Sequence, residues 1–155
     1  MQADRLDSWR VRLSAYLPIF LWIGVIFFLS SDNGSMSETS RFIRPVLAFL
    51  FPTAPEETLQ IYHSWVRKAA HVTEYAILAF LAFRASARIS FERLPALRYI
   101  LPLALVAVIA SADEFNQSFE ASRTASYRDV LLDVAGGSAM IAIIWLVKLR
   151  RVSHR

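Results

Sequence analysis

Apolar residues dominate 13–29, 69–83, 98–112 and 130–147, and the polar residues gather between those runs or near their ends. With their flanks, the runs approach the ~20 residues a helix needs to cross the hydrocarbon core of a bilayer. They lack the one-sided 3.6-residue periodicity of a half-exposed helix in a soluble domain. The pattern therefore predicts an all-α fold, a polytopic membrane four-helix bundle formed by residues 1–155 as one domain. Arg5, Arg10 and Arg12 before the first run also suit a signal peptide. However, Ser30-Ser31-Asp32-Asn33 lacks the small-x-small cleavage pattern, which favours a retained first helix. Pro18 and Gly24 are tolerable there because neighbouring helices can satisfy a disturbed backbone.

Between the first two spans, Phe42 to Phe51 is apolar but short and is interrupted by Arg44 and Pro45. An extra interfacial or re-entrant segment is the first expectation, and an amphipathic helix on the membrane surface the second. Thr53-Ala54-Pro55-Glu56 reads as a helix start, with Thr53 capping, Pro55 in the first turn and Glu56 closing a capping box.

Charge orients this frame. Four spans place both termini and the 84–98 connector on one side, with eleven basic residues against three acidic, and leave six basic against ten acidic on the other. By the positive-inside rule the first side is cytoplasmic, and the loops 30–68 and 113–129 face outward. Short cytoplasmic segments account for the basic residues, so no nucleic-acid partner is expected. Cysteine is absent, which excludes disulfides, thiolate metal sites and thiol nucleophiles.

The same topology collects the ionisable residues that lie near membrane depth, where each is costly and tends to be functional. Arg67, His71 and Glu74 are spaced four and three apart and share a helix face. Asp113, Glu114 and Gln117 cluster at the end of the third span, Arg123 and Arg128 lie in the loop, and Asp129 and Asp133 open the fourth span one turn apart. The residues admit a catalytic set of His71, Glu74, Asp113 and Glu114, with Arg67, Gln117, Arg123, Arg128, Asp129 and Asp133 binding ligand. A polar network that only fixes helix packing is the competing reading. One histidine among carboxylates is a weak metal signal, so no metal or cofactor is assigned. The small residues Ala135 to Ala139 allow a close helix approach, with a homodimer through that face as a secondary reading. Trp22, Trp65 and Trp145 need only be interface anchors or lipid-facing bulk, and His63 and His154, which carry no motif, read as solvated.

Three ordered blocks go further. Arg67-Lys68-x-x-His71-x-x-Glu74-Tyr75, then Asp113-Glu114-x-x-Gln117-x-Phe119, then Arg123 and Asp129 before Gly136, resemble the VanZ-like membrane protein family, and Ser30-Ser31 suits its usual opening. Asp133 and Ser122 depart from the family's commoner Asn and Gly. The resemblance implies a small multi-span protein of the bacterial cytoplasmic membrane, from a family named for a member linked to low-level teicoplanin resistance. The expected partners are membrane lipids and, at the outward site, an anionic lipid head group or cell-wall precursor. A membrane-embedded hydrolase or transferase with His71 as base is the alternative, and a small proton-coupled carrier a third class.

Overall fold

A computed structural model describes residues 2–31, 36–89, 91–119 and 126–153. They form five helices, α1 Gln2–Ser30, α2 Met36–Leu50, α3 Glu56–Ser86, α4 Leu97–Gln117 and α5 Tyr127–Ser153, and the described residues include no strand. The α3 helix is the hub, packing most extensively on α5 and then on α4, α1 and α2.

Small residues bring these helices together. An alanine Cβ built at Gly136 would lie 2.5 Å from the Val72 carbonyl oxygen, so α5 rests directly on the α3 backbone. At Gly137 the same atom would meet the Val106 methyls at 3.0 and 3.1 Å, which seats α4 beside the contact. Tyr75, Leu78, Ala79, Val106 and Ala110 fill the centre and are fully buried.

Two prolines show how side chains repair the backbone. A proline inside a helix leaves the carbonyl four residues earlier without its N–H donor. For Pro18 that carbonyl belongs to Ser14, which accepts a 3.1 Å hydrogen bond from Arg84 Nη2. For Pro102 it belongs to Arg98, which accepts a 3.1 Å bond from Ser86 Oγ. The last turns of α3 thus supply both missing donors and tie down α1 and α4. The Ser86 hydroxyl also bonds the Phe83 carbonyl at 2.8 Å, so Ser86→Ala is expected to cost something in either background but about 1 kcal/mol more when Pro102 is present than beside Pro102→Ala, where the amide returns. A double-mutant cycle on thermal unfolding in detergent measures that coupling.

The exterior is apolar and part of the interior is polar. Phe20, Leu21, Phe28, Val108, Ile143 and Trp145 are exposed, whereas Ser30, Asp113, Glu114, Gln117 and Asp133 are buried. That inversion suits a lipid solvent. Leu13–Ser30 and Tyr127–Arg151 are long and apolar enough to cross a membrane. Only 22% of each is buried, which separates them from the core helix of a soluble domain.

The segment after the first span is one continuous helix, Met36–Leu50, that runs through Arg44 and Pro45. One local expectation changes. The start of α3 is capped at Pro55 with no side-chain hydrogen bond, so Thr53 does not cap it. The Pro55 carbonyl takes the Thr58 and Leu59 amides at 3.0 and 3.2 Å, and Glu56 pairs with Arg44 of α2.

Candidate functional site

The polar groups converge where α1 ends, α4 ends and α5 begins, against the face of α3 that carries His71. Asp113, in the last turns of α4, is 1% exposed. One oxygen, Oδ2, accepts from Ser30 Oγ of α1 at 2.8 Å and from Gln117 Nε2 at 2.9 Å. The second bond follows from the i, i+4 spacing within one helix. Ser30 is the last residue of α1, directly after the first apolar run.

Glu114 is also buried and faces the loop, where it accepts the Ser126 amide at 2.7 Å. It thereby fixes the entry into α5, where Ser126 in turn receives the Asp129 amide on its carbonyl at 2.9 Å and the Arg128 amide on its hydroxyl at 3.2 Å.

Asp133, in the second turn of α5, is 2% exposed and lies with Oδ1 3.7 Å from Nδ1 of the half-buried His71. That separation exceeds a hydrogen bond but keeps the pair in electrostatic contact. His71 is also within electrostatic reach of Asp113. The Tyr75 hydroxyl lies within hydrogen-bonding reach of the Asp113 carboxylate, deep in the bundle, although no bond of full geometry joins them. Among the described residues Asp133 Oδ1, also buried, has no hydrogen-bond partner. Buried polar atoms are nearly always satisfied, so the incompletely bonded groups of this cluster stand out from the rest of the interior.

The remaining residues expected at the site are distributed around this centre. Glu74 is half-buried and near Asp113, and its backbone carbonyl accepts the Trp22 indole N–H at 2.9 Å. Trp22 is therefore a tie between α1 and α3 and not only an interface anchor. Arg67 is half-buried one turn before His71, Asp129 is half-buried one turn before Asp133, and the Arg128 side chain is exposed. Arg123 lies outside the described residues, as do Ser122 and His154. No three histidine or acidic side chains among the described residues are arranged to hold a metal ion.

His63 departs from the sequence expectation. It is buried at 4% exposure and shares a 3.1 Å hydrogen bond with Thr39 Oγ1, which joins α2 to α3. Burial holds its pKa below the ordinary imidazole value, and the nearby Arg67 guanidinium adds to the effect.

An all-helical bundle with an apolar exterior and a polar cluster at one end of its central helices defines the chain as a membrane protein built around an internal polar site. The VanZ/LLP1 family profile matches residues 15–148, which is most of the chain and all of that cluster, and the protein belongs to this family. No curated protein and no solved structure matches it.

Proposed function

We propose that the protein is a multi-pass protein of the bacterial cytoplasmic membrane whose polar site faces outward and receives the head group of an anionic envelope lipid or glycan. The observation that carries this reading is the buried group Tyr75, Asp113 and Asp133 next to His71, whose polar atoms are incompletely bonded among the described residues. The carboxylate oxygens would accept hydroxyls of a head group, while Arg67, with Arg128 and Arg123 of the neighbouring loop, would receive its phosphate or carboxylate. In this picture α3 and α4 are the second and third spans, both termini are cytoplasmic, and an effect on glycopeptide susceptibility follows from altered envelope lipid or glycan.

Two measurements test it. The chain has no native cysteine, so Ser122→Cys and Ser153→Cys each give a single label site. A membrane-impermeant maleimide is expected to label the first in intact spheroplasts and the second only after lysis. The opposite pattern would reverse the orientation and remove envelope substrates. In nanodiscs, photoactivatable phosphatidylglycerol is expected to cross-link within residues 67–74 and 113–133, and His71→Asn is expected to lower that capture several-fold. Absence of cross-links there would sink the binding reading.

The facing of His71 Nδ1 and Asp133 Oδ1 favours a second reading, a hydrolase or transferase. A carboxylate beside one imidazole nitrogen orients the ring and supports the other nitrogen as a general base. His71→Asn would then abolish turnover of a bound head-group ester while leaving capture in place.

A further inference from the structure

The α2 helix stands apart from the polar cluster, and its contacts among the described residues are with α3 alone. Its sequence divides into three faces at helical spacing. Thr39 and Leu47 lie toward α3, where Thr39 meets His63 and Leu47 is buried. Phe42, Val46, Phe49 and Leu50 form a second face that is 57–84% exposed. Arg41, Arg44, Pro45 and Ala48 form the third and, with Ser40 and with Leu59 of α3, line an open groove of about 490 Å3.

We infer that this groove binds the phosphate of an anionic phospholipid, with the Phe42–Phe49 face of α2 set into the acyl boundary beside it. In a membrane protein an apolar helix face of this size is covered by lipid, and its neighbouring arginines then lie at head-group level. Among the described residues both guanidiniums are held only by surface pairs, Arg41 with Glu38 at 3.2 Å and Arg44 with Glu56, with all four side chains 46–71% exposed. Exposed pairs of this kind contribute little to stability and yield to a stronger anion. A phosphate between two arginine forks is such an anion, and Pro45, Ala48 and Leu59 give the lipid backbone an apolar wall. A zwitterionic lipid offers the same acyl chains with no net charge, so the groove selects by charge and the apolar face by location.

This site is separate from the one around His71, and its test is read at α2. The full chain is placed in nanodiscs of phosphatidylcholine containing photoactivatable phosphatidylglycerol, and cross-links at residues 40–48 are quantified. Arg41→Gln and Arg44→Gln are each expected to lower that capture about fivefold, the scale of one basic residue near an anionic surface, while Arg93→Gln in the distant 84–98 connector leaves it unchanged. Glu38→Gln with Glu56→Gln frees both guanidiniums and is expected to raise capture, a direction that misfolding of α2 cannot produce. Unchanged capture in both sets of variants would overturn the inference. So would a loss in the arginine variants without a gain in the glutamate variants, because α2 would then simply have come away from α3. Cross-linking of α2 to a second copy of the chain instead of lipid would also overturn it.

Discussion

Replacing Gly136 with alanine is expected to be among the most damaging single changes in this chain. The added methyl carbon would stand 2.5 Å from the Val72 carbonyl oxygen and 3.1 Å from the Val72 carbonyl carbon and Cα. These atoms are backbone, so no side chain can rotate away, and α5 has to move off α3 as a unit. Overpacking of a filled interior typically costs 1–3 kcal/mol, and a rigid backbone neighbour places this site at about 3 kcal/mol or more. Gly136→Val should prevent stable assembly of the bundle. Gly24 is the control, since nothing lies within 4 Å of its would-be Cβ. Gly24→Ala is expected to be neutral or to stabilise by up to ~1 kcal/mol, because alanine is the better helix former. Thermal unfolding of the detergent-solubilised variants separates the cases, and equal melting of Gly136→Ala and wild type would refute the close α3–α5 contact. The loss should also reach the polar site, because Gly136 is less than one turn beyond Asp133 and the contact on Val72 lies next to His71.

The helical frame was legible because apolar run length is a strong local signal. All four runs lie inside observed helices, although α3 begins at Glu56, well before its apolar run, since its first turns mix polar and apolar residues. Within the site, what one helix sets was readable. The spacing of Arg67, His71 and Glu74 placed them on one face, and the four-residue step from Asp113 to Gln117 became a hydrogen bond. What required two helices was not readable. The bond from Ser30 to Asp113 spans 83 positions and that from Trp22 to Glu74 spans 52, and no periodicity reports such pairings. His63 failed for the same reason, because its partner Thr39 lies on a separate helix that the sequence pattern left undefined. Glu114 and Asp113 are adjacent and chemically alike, yet one holds a loop amide and the other the bundle centre. The step of roughly 100° between neighbours on a helix separates those tasks.

That separation of tasks leads to the second large effect, a contrast between two buried aspartates. Asp113 joins Ser30 of α1 to Gln117 through one oxygen, so Asp113→Ala strands two buried donors and is expected to destabilise the protein by roughly 2–4 kcal/mol. Asp133 has no hydrogen bond on Oδ1 and faces His71 only at 3.7 Å. Asp133→Asn keeps the side-chain shape and removes a buried acid with few compensating contacts, so stability should stay within about 1 kcal/mol of wild type or rise. The two variants should also part in head-group capture. Asparagine keeps one acceptor oxygen and adds an amide donor where Asp133 offers a second acceptor, so cross-linking of phosphatidylglycerol within residues 67–74 should increase relative to phosphatidylcholine. A residue whose replacement spares stability and changes lipid selectivity acts through its chemistry and not through packing. If Asp133→Asn instead destabilises as strongly as Asp113→Ala and leaves lipid capture unchanged, Asp133 is a packing residue. The polar cluster would then be a scaffold for the bundle, and the head-group site would have to be sought at the α2 groove alone.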